Sequence, residues 1–83
     1  GEDSTTTYLQ VNKNIKNETP LGTINGINAI FTTQFPLEPN SEDIFVNGQK
    51  QVKPYDYNIS VQTITFTFSP NIDEVITINY IKQ

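Results

Sequence analysis

Between Thr23 and Tyr80 the chain carries two Asn-Gly pairs, each set between β-rich runs, and the strict alternation Thr63-Ile64-Thr65-Phe66-Thr67-Phe68. Asn-Gly between alternating segments is the strongest short-range hairpin signal, because both residues accept the positive φ of a type I′ turn. A compact antiparallel β domain is therefore expected. No residue announces a reaction, so function has to be approached by elimination and by resemblance.

At 83 residues this is one small domain. Area scaling gives roughly 8,600 Å² buried on folding, enough for one thin core. With no Cys, neither a disulfide nor a thiolate metal site can supplement it. The formal net charge is -4, and all five basic residues are Lys: Lys13, Lys16, Lys50, Lys53 and Lys82. They are scattered and form no basic stripe, which sets aside nucleic-acid binding and disfavours an anionic membrane surface. No apolar run approaches the ~18 residues of a transmembrane span. The chain starts at Gly1 and contains no Met, as in a processed product or an excised piece.

Residues 1–19 read as an N-terminal arm or linker and 20–83 as the β domain. Gly1 to Thr7 is polar, Tyr8 to Val11 has the character of a short strand, and Asn12 to Thr19 is linker-like. Extended, the first 17 residues would reach roughly 55–60 Å, enough to touch a neighbour. The alternative is a loose lead-in or an edge strand folded back on its own sheet. From Gly22 onward the sequence predicts a turn at Asn25-Gly26, a strand over 29–35, and a hairpin closed by Asn47-Gly48. Tyr57 to Ile59 leads into a strand over 63–68, and the last strand spans 74–81. Turn signals every 8–12 residues suggest a sandwich or barrel of six or seven short strands. The expected core is Phe31, Phe35, Ile44, Val46, Ile64, Phe66, Phe68, Ile76, Ile78 and Tyr80.

Glu42-Asp43 and Asp73-Glu74 are the carboxylate pairs that acid/base work or Ca²⁺ would require. Neighbouring acids point to opposite sides of a strand, and no calcium-loop pattern accompanies them, so they read as solvated turn acids guarding strand ends. With no His and no Cys, a Ser or Thr nucleophile would need a Lys or an acid as base, and no G-x-S-x-G elbow exists. The expectation is a protein that is not an enzyme and needs no cofactor or metal. Candidate surface contacts are Phe45, out of phase with Ile44 and Val46, and Tyr55 and Tyr57, which flank a turn. Exposed aromatics stack on sugars or anchor interfaces. The tyrosines would otherwise pack across a corner, their hydroxyls capping loop backbone. Asn17-Glu18-Thr19 and Asn58-Ile59-Ser60 are glycosylation triplets that matter only in a eukaryotic secretory context.

Five pieces occur in a fixed order: Gly22 to Thr32, Asp43-Ile44-Phe45-Val46-Asn47-Gly48, Asp56-Tyr57, Thr63-Ile64-Thr65-Phe66, and Val75 to Tyr80. Together they resemble the small immunoglobulin-like β-sandwich repeat of tailed-phage virion proteins. That pattern pairs a "dGxNxxFT" opening with a "vNG" hairpin, a "DY" corner, an "ITF" strand and a closing "I-x-x-Y" strand. The chain departs from it at Pro54-Tyr55, where the family often has Gly, and at Val61-Gln62, where it often has Gly-Asn. The resemblance implies an immunoglobulin-like antiparallel sandwich acting as a virion structural or adhesion module on the particle surface. A tail-fibre or receptor-binding module ranks first and a capsid head-decoration protein second. A glycan-binding module of a secreted bacterial protein is the third reading. The implied partners are other virion proteins and a host-surface glycan or protein, with self-association into a homo-oligomer as a further expectation. Nucleic acid and membrane insertion are not implied.

Overall fold

In a computed structural model, residues 13–83 are described. The strand expected at Tyr8–Val11 and the polar tip before it lie outside them. Seven strands form two antiparallel sheets packed face to face. They are β1 (Asn14–Glu18), β2 (Ile30–Thr32), β3 (Asp43–Val46), β4 (Gln49–Lys50), β5 (Tyr57–Ser60), β6 (Thr63–Phe66) and β7 (Ile76–Ile81). The four-stranded sheet runs β1-β7-β3-β4 and the three-stranded sheet β2-β6-β5. This is an all-β antiparallel sandwich, one of the two architectures, sandwich or barrel, that the spacing of turns leaves open, and the one that the resemblance implies.

Period-two alternation builds the core. In β3 and β7, Ile44, Val46, Ile76, Ile78 and Tyr80 point inward, while Asp43, Phe45, Thr77 and Asn79 point out. From the other sheet come Phe31, Ile64, Phe66 and Tyr57. Phe66 sits at the centre of an aromatic chain, edge-on to Phe31 at 5.7 Å and to Tyr57 at 6.5 Å, with Phe68 at 5.1 Å. Such pairs add about 0.5–1.5 kcal/mol beyond their buried area.

Two expected core members are corrected. Phe35 and Phe68 are only half-buried against the rim, and Leu37 and Tyr57 are buried in their stead. The cause is early strand termination. β2 ends at Thr32; Thr33 N–H still reaches Gln62 C=O in register (2.8 Å), but its hydroxyl donates to Phe35 C=O (2.7 Å) and the chain turns there. The chain then bends so that Leu37, not Phe35, reaches the interior. Likewise β6 ends at Phe66, and Phe68 leaves the ladder before it can bury fully.

The two Asn-Gly pairs behave differently. Asn47 (φ 53°) and Gly48 (φ 79°) both take the left-handed conformation and close the β3–β4 hairpin as predicted. At the first pair only Gly26 is left-handed, and Asn25 Oδ1 accepts the N–H groups of Ile27 and Asn28, both at 2.9 Å. That Asx arrangement makes a loop rather than a hairpin.

The segment read as linker contains a strand. β1 lies at the edge of the larger sheet, pairing Asn14 with Ile81, Ile15 with Tyr80 and Glu18 with Ile78. Of the fates open to residues 1–19, residues 14–18 take that of an edge strand on their own sheet. The boundary expected at residues 19 and 20 therefore falls after a strand that already belongs to the sandwich.

Candidate functional site

Two surfaces carry chemistry beyond packing. The first is a groove along the open side of the sandwich between β4 and β5. A tight turn leads into it: Ser41 N–H and Oγ both reach Glu38 C=O, at 3.2 and 2.7 Å, and Asn40 adopts φ 64°. Asn tolerates that conformation better than most residues. The turn places Glu42 two residues before Ile44, on the inward side of β3, where its side chain is only 2% exposed. The reading of Glu42 as a solvated turn acid is thus corrected. Its neighbour Asp43 points outward and pairs with Lys50 at 3.2 Å.

A buried carboxylate has to be neutralised and hydrogen-bonded. Glu42 Oε2 accepts from Lys53 Nζ and from the Tyr57 hydroxyl, each at 2.9 Å. Lys53 Nζ also donates to Asn40 Oδ1 at 3.0 Å, and its side chain is 31% exposed. Glu42 Oε1 has no hydrogen-bond partner. Burial, reinforced by the hydrogen bond to the Glu42 carboxylate, pushes the Tyr57 hydroxyl well above the ordinary tyrosine range.

Two adjoining hollows meet at Asn40 and Lys53. One, of ≈ 260 Å³, is walled by Leu37, Pro39, Ile59, Ser60, Val61 and Gln83. The other, of ≈ 380 Å³, is shallower and includes Glu42, Asp43, Gln51 and Tyr57.

The second surface is a loop end. Gly26 N–H donates to Pro70 C=O (2.8 Å) and Ser69 Oγ to Ile27 C=O (2.7 Å), locking loop 22–29 against loop 69–75. Ile27 and Ile72 stand 82% and 75% exposed there.

The three aromatic candidates do not converge. Phe45 is half-buried on the outer face of the larger sheet, opposite Thr77 and Lys50. Tyr55 is 79% exposed in the turn before β5. Tyr57 is buried, so its reading as a surface contact is corrected; its hydroxyl meets a carboxylate, not loop backbone. It is Tyr80 whose hydroxyl accepts a loop N–H, from Phe35 at 3.2 Å. Among the described residues, no three acidic side chains converge on a metal-sized site.

Glu42 and Lys53 were missed as a pair, although part of the signal was present. Glu42 shares the parity of Ile44 and Val46, so strict alternation already places it inward. Comparison with family models, curated proteins and solved structures returned no match.

Proposed function

We propose that the chain is a non-enzymatic structural and adhesion module of a tailed-phage virion, working as part of a tail fibre or receptor-binding protein. One observation carries this reading, the position of Lys13 and Gln83, the first and last described residues, relative to the bare loops. Lys82 N–H donates to Lys13 C=O at 2.9 Å, and Asn14 pairs with Ile81, so the chain enters and leaves the sandwich at one end. Loops 22–29 and 69–75 occupy the opposite end, with Ile27 and Ile72 uncovered. A domain tethered at one end and bare at the other projects from its carrier instead of lengthening it. Its far end is then free to meet a host surface. The ordered phage-like motifs support the virion context, and the acidic charge suits a soluble surface piece.

The test is cell labelling. Fluorescent full chain is applied to a panel of intact bacterial cells, beside a variant carrying Ile27→Asp and Ile72→Asp. Both changes lie on exposed loop positions, so thermal unfolding should be unchanged. The expected result is labelling of at least one strain by the parent and its loss in the variant. If no strain is labelled, or if the variant labels equally well, the loop end is not an adhesive surface and the reading fails.

A further inference from the structure

We propose that Lys53 and Asn40 form an intramolecular isopeptide bond, with Glu42 as the general base that moves the protons. Nζ of Lys53 displaces the side-chain nitrogen of Asn40 as ammonia, in a single turnover that the domain performs on itself. The inference rests on these three side chains and stands apart from the virion reading, since a covalent brace would serve any domain that bears load.

The three groups that the reaction needs are already in contact. Lys53 Nζ, the nucleophile, donates to Asn40 Oδ1 at 3.0 Å. With a C=O bond of about 1.23 Å, the side-chain carbonyl carbon of Asn40 lies no more than about 4.2 Å from Nζ. The Lys53 side chain is long and 31% exposed, so a small rotation brings Nζ to attacking distance, about 3–3.5 Å. Glu42 Oε2 stands 2.9 Å from the same Nζ, placed to take its proton. The Tyr57 hydroxyl holds that carboxylate at 2.9 Å, and burial keeps the phenol protonated, so Tyr57 remains a donor throughout. Glu42 Oε1, buried and without a partner, gives the transferred proton a second oxygen to rest on.

The atoms balance without a co-reactant. Glu42 takes one proton from the Lys53 ammonium, and the neutral amine attacks Asn40 Cγ to form the new C–N bond. Glu42 passes that proton to Nδ2 and accepts a second from Nζ, and the Cγ–Nδ2 bond breaks. Ammonia leaves with the second proton, as ammonium, and the carboxylate is restored. An ammonium and a primary amide have become a secondary amide and a free ammonium ion. A primary amide is a poor electrophile in water, but reactants held in place reach effective concentrations of about 10⁵–10⁸ M. The released ion escapes through the hollows that meet at Asn40 and Lys53, and its dilution makes the step irreversible. The bond ties the turn that enters β3 to the segment that crosses from β4 in one sheet to β5 in the other.

The experiment is intact-mass spectrometry of the full chain followed over days, then tryptic mapping of the denatured product. The expected result is a species lighter by about 17 Da, the mass of the ammonia that the amine displaces. Trypsin cuts after Lys16, Lys50 and Lys82 and spares Lys53, which precedes Pro54, so the bond joins peptides 17–50 and 51–82 into one. Asn40→Gly removes the electrophile while suiting the positive φ, and Lys53→Arg keeps the charge but not the nucleophile. Glu42→Gln removes the base and keeps its volume. Each should abolish the joined peptide, with thermal unfolding recorded on the same samples. Should Glu42→Gln or Lys53→Arg fail to fold, Asn40→Gly alone decides the result. A parent chain that keeps its full mass would overturn the proposal. So would the same mass loss persisting in Asn40→Gly, or mapping to a succinimide at Asn25-Gly26 or Asn47-Gly48.

Discussion

Val61 is held at φ 56°, a conformation that costs an L-residue roughly 1–2 kcal/mol and crowds a β-branched side chain most. It sits in the two-residue turn joining β5 and β6, between Ser60 and Thr63, where the resembling family often has Gly-Asn. The carbonyl it presents accepts Leu37 N–H at 3.1 Å, and its side chain stands exposed at the wall of the groove. Val61→Asn relieves the strain and keeps the carbonyl, so it should stabilise the domain by about 1 kcal/mol. The measurement is the urea midpoint; an unchanged or lower midpoint would mean that Val61 packing outweighs its strain. The tyrosines make a second residue-scale prediction. Burial, then a hydrogen bond to Glu18, pushes the Tyr80 hydroxyl up to about 12, and Tyr57 is raised further by burial and Glu42. A raised folded value means that the fold favours the protonated phenol. The stability it contributes is full below the ordinary tyrosine value of 10.0 and is lost as pH rises through about 12. Absorbance at the phenolate band should show these two hydroxyls titrating late, together with loss of the folded β signal. If all the tyrosines titrated as free phenols while the fold persisted, the buried hydroxyl bonds would be wrong.

Among the elements, β1 shows what a sequence conceals. Asn14-Ile15-Lys16-Asn17-Glu18 offers one apolar side chain facing the core, and its alternation is broken where Asn17 turns to φ 54° at a register shift. Hydrophobic periodicity therefore has nothing to detect. The strand is tied on by polar groups whose partners lie far along the chain. Asn17 N–H donates to Asn79 Oδ1 at 2.7 Å, and Glu18 accepts from the Tyr80 hydroxyl at 2.7 Å and from Gln34 N–H at 2.9 Å. The bulge also blunts the exposed edge against pairing with another chain. The strands that were legible, β3, β6 and β7, are those in which alternation and burial coincide. In the groove, parity could place Glu42 inward, but its meeting with Lys53 and Tyr57 depends on how the 51–56 turn packs, which no local pattern encodes. Glu18→Ala leaves a buried phenol and a loop N–H without their acceptor, costing about 1–3 kcal/mol. Hydrogen exchange should show β1 opening before the other strands in that variant. Uniform protection across β1 and β7 would show that the ladder alone holds the edge.

At the scale of the molecule, both ends of the described chain, Lys13 and Gln83, and both candidate surfaces are placed by one topology. Because β1 and β7 are antiparallel neighbours, the start of one and the end of the other share an end of the sandwich. Turns at Gly26 and Asn71–Glu74 share the opposite end, joined by Gly26 N–H to Pro70 C=O. The Lys53 groove lies along the side past the two-residue β4 and reaches the end where the chain leaves, at Gln83. This arrangement predicts tolerance of circular permutation. A short Gly/Ser linker from Gln83 to Lys13, replacing residues 1–12, joins positions already held together by the 2.9 Å bond between Lys82 and Lys13. New ends opened between Ile72 and Asp73 fall at an exposed loop tip, where cutting removes no core contact. The permuted domain should unfold in one cooperative transition, destabilised by no more than about 2 kcal/mol, since the Asn71–Glu74 turn bonds are lost while the core is kept. Its amide spectrum should match the parent everywhere except at the new and old ends. A permutant that did not fold would place Lys13 and Gln83 apart and remove the basis for a domain that projects from its carrier. If it folds, fusing it to a carrier through the new ends buries Ile72 against the tether. Cell labelling should then fall although the sandwich is intact, which separates the orientation of the domain from its stability.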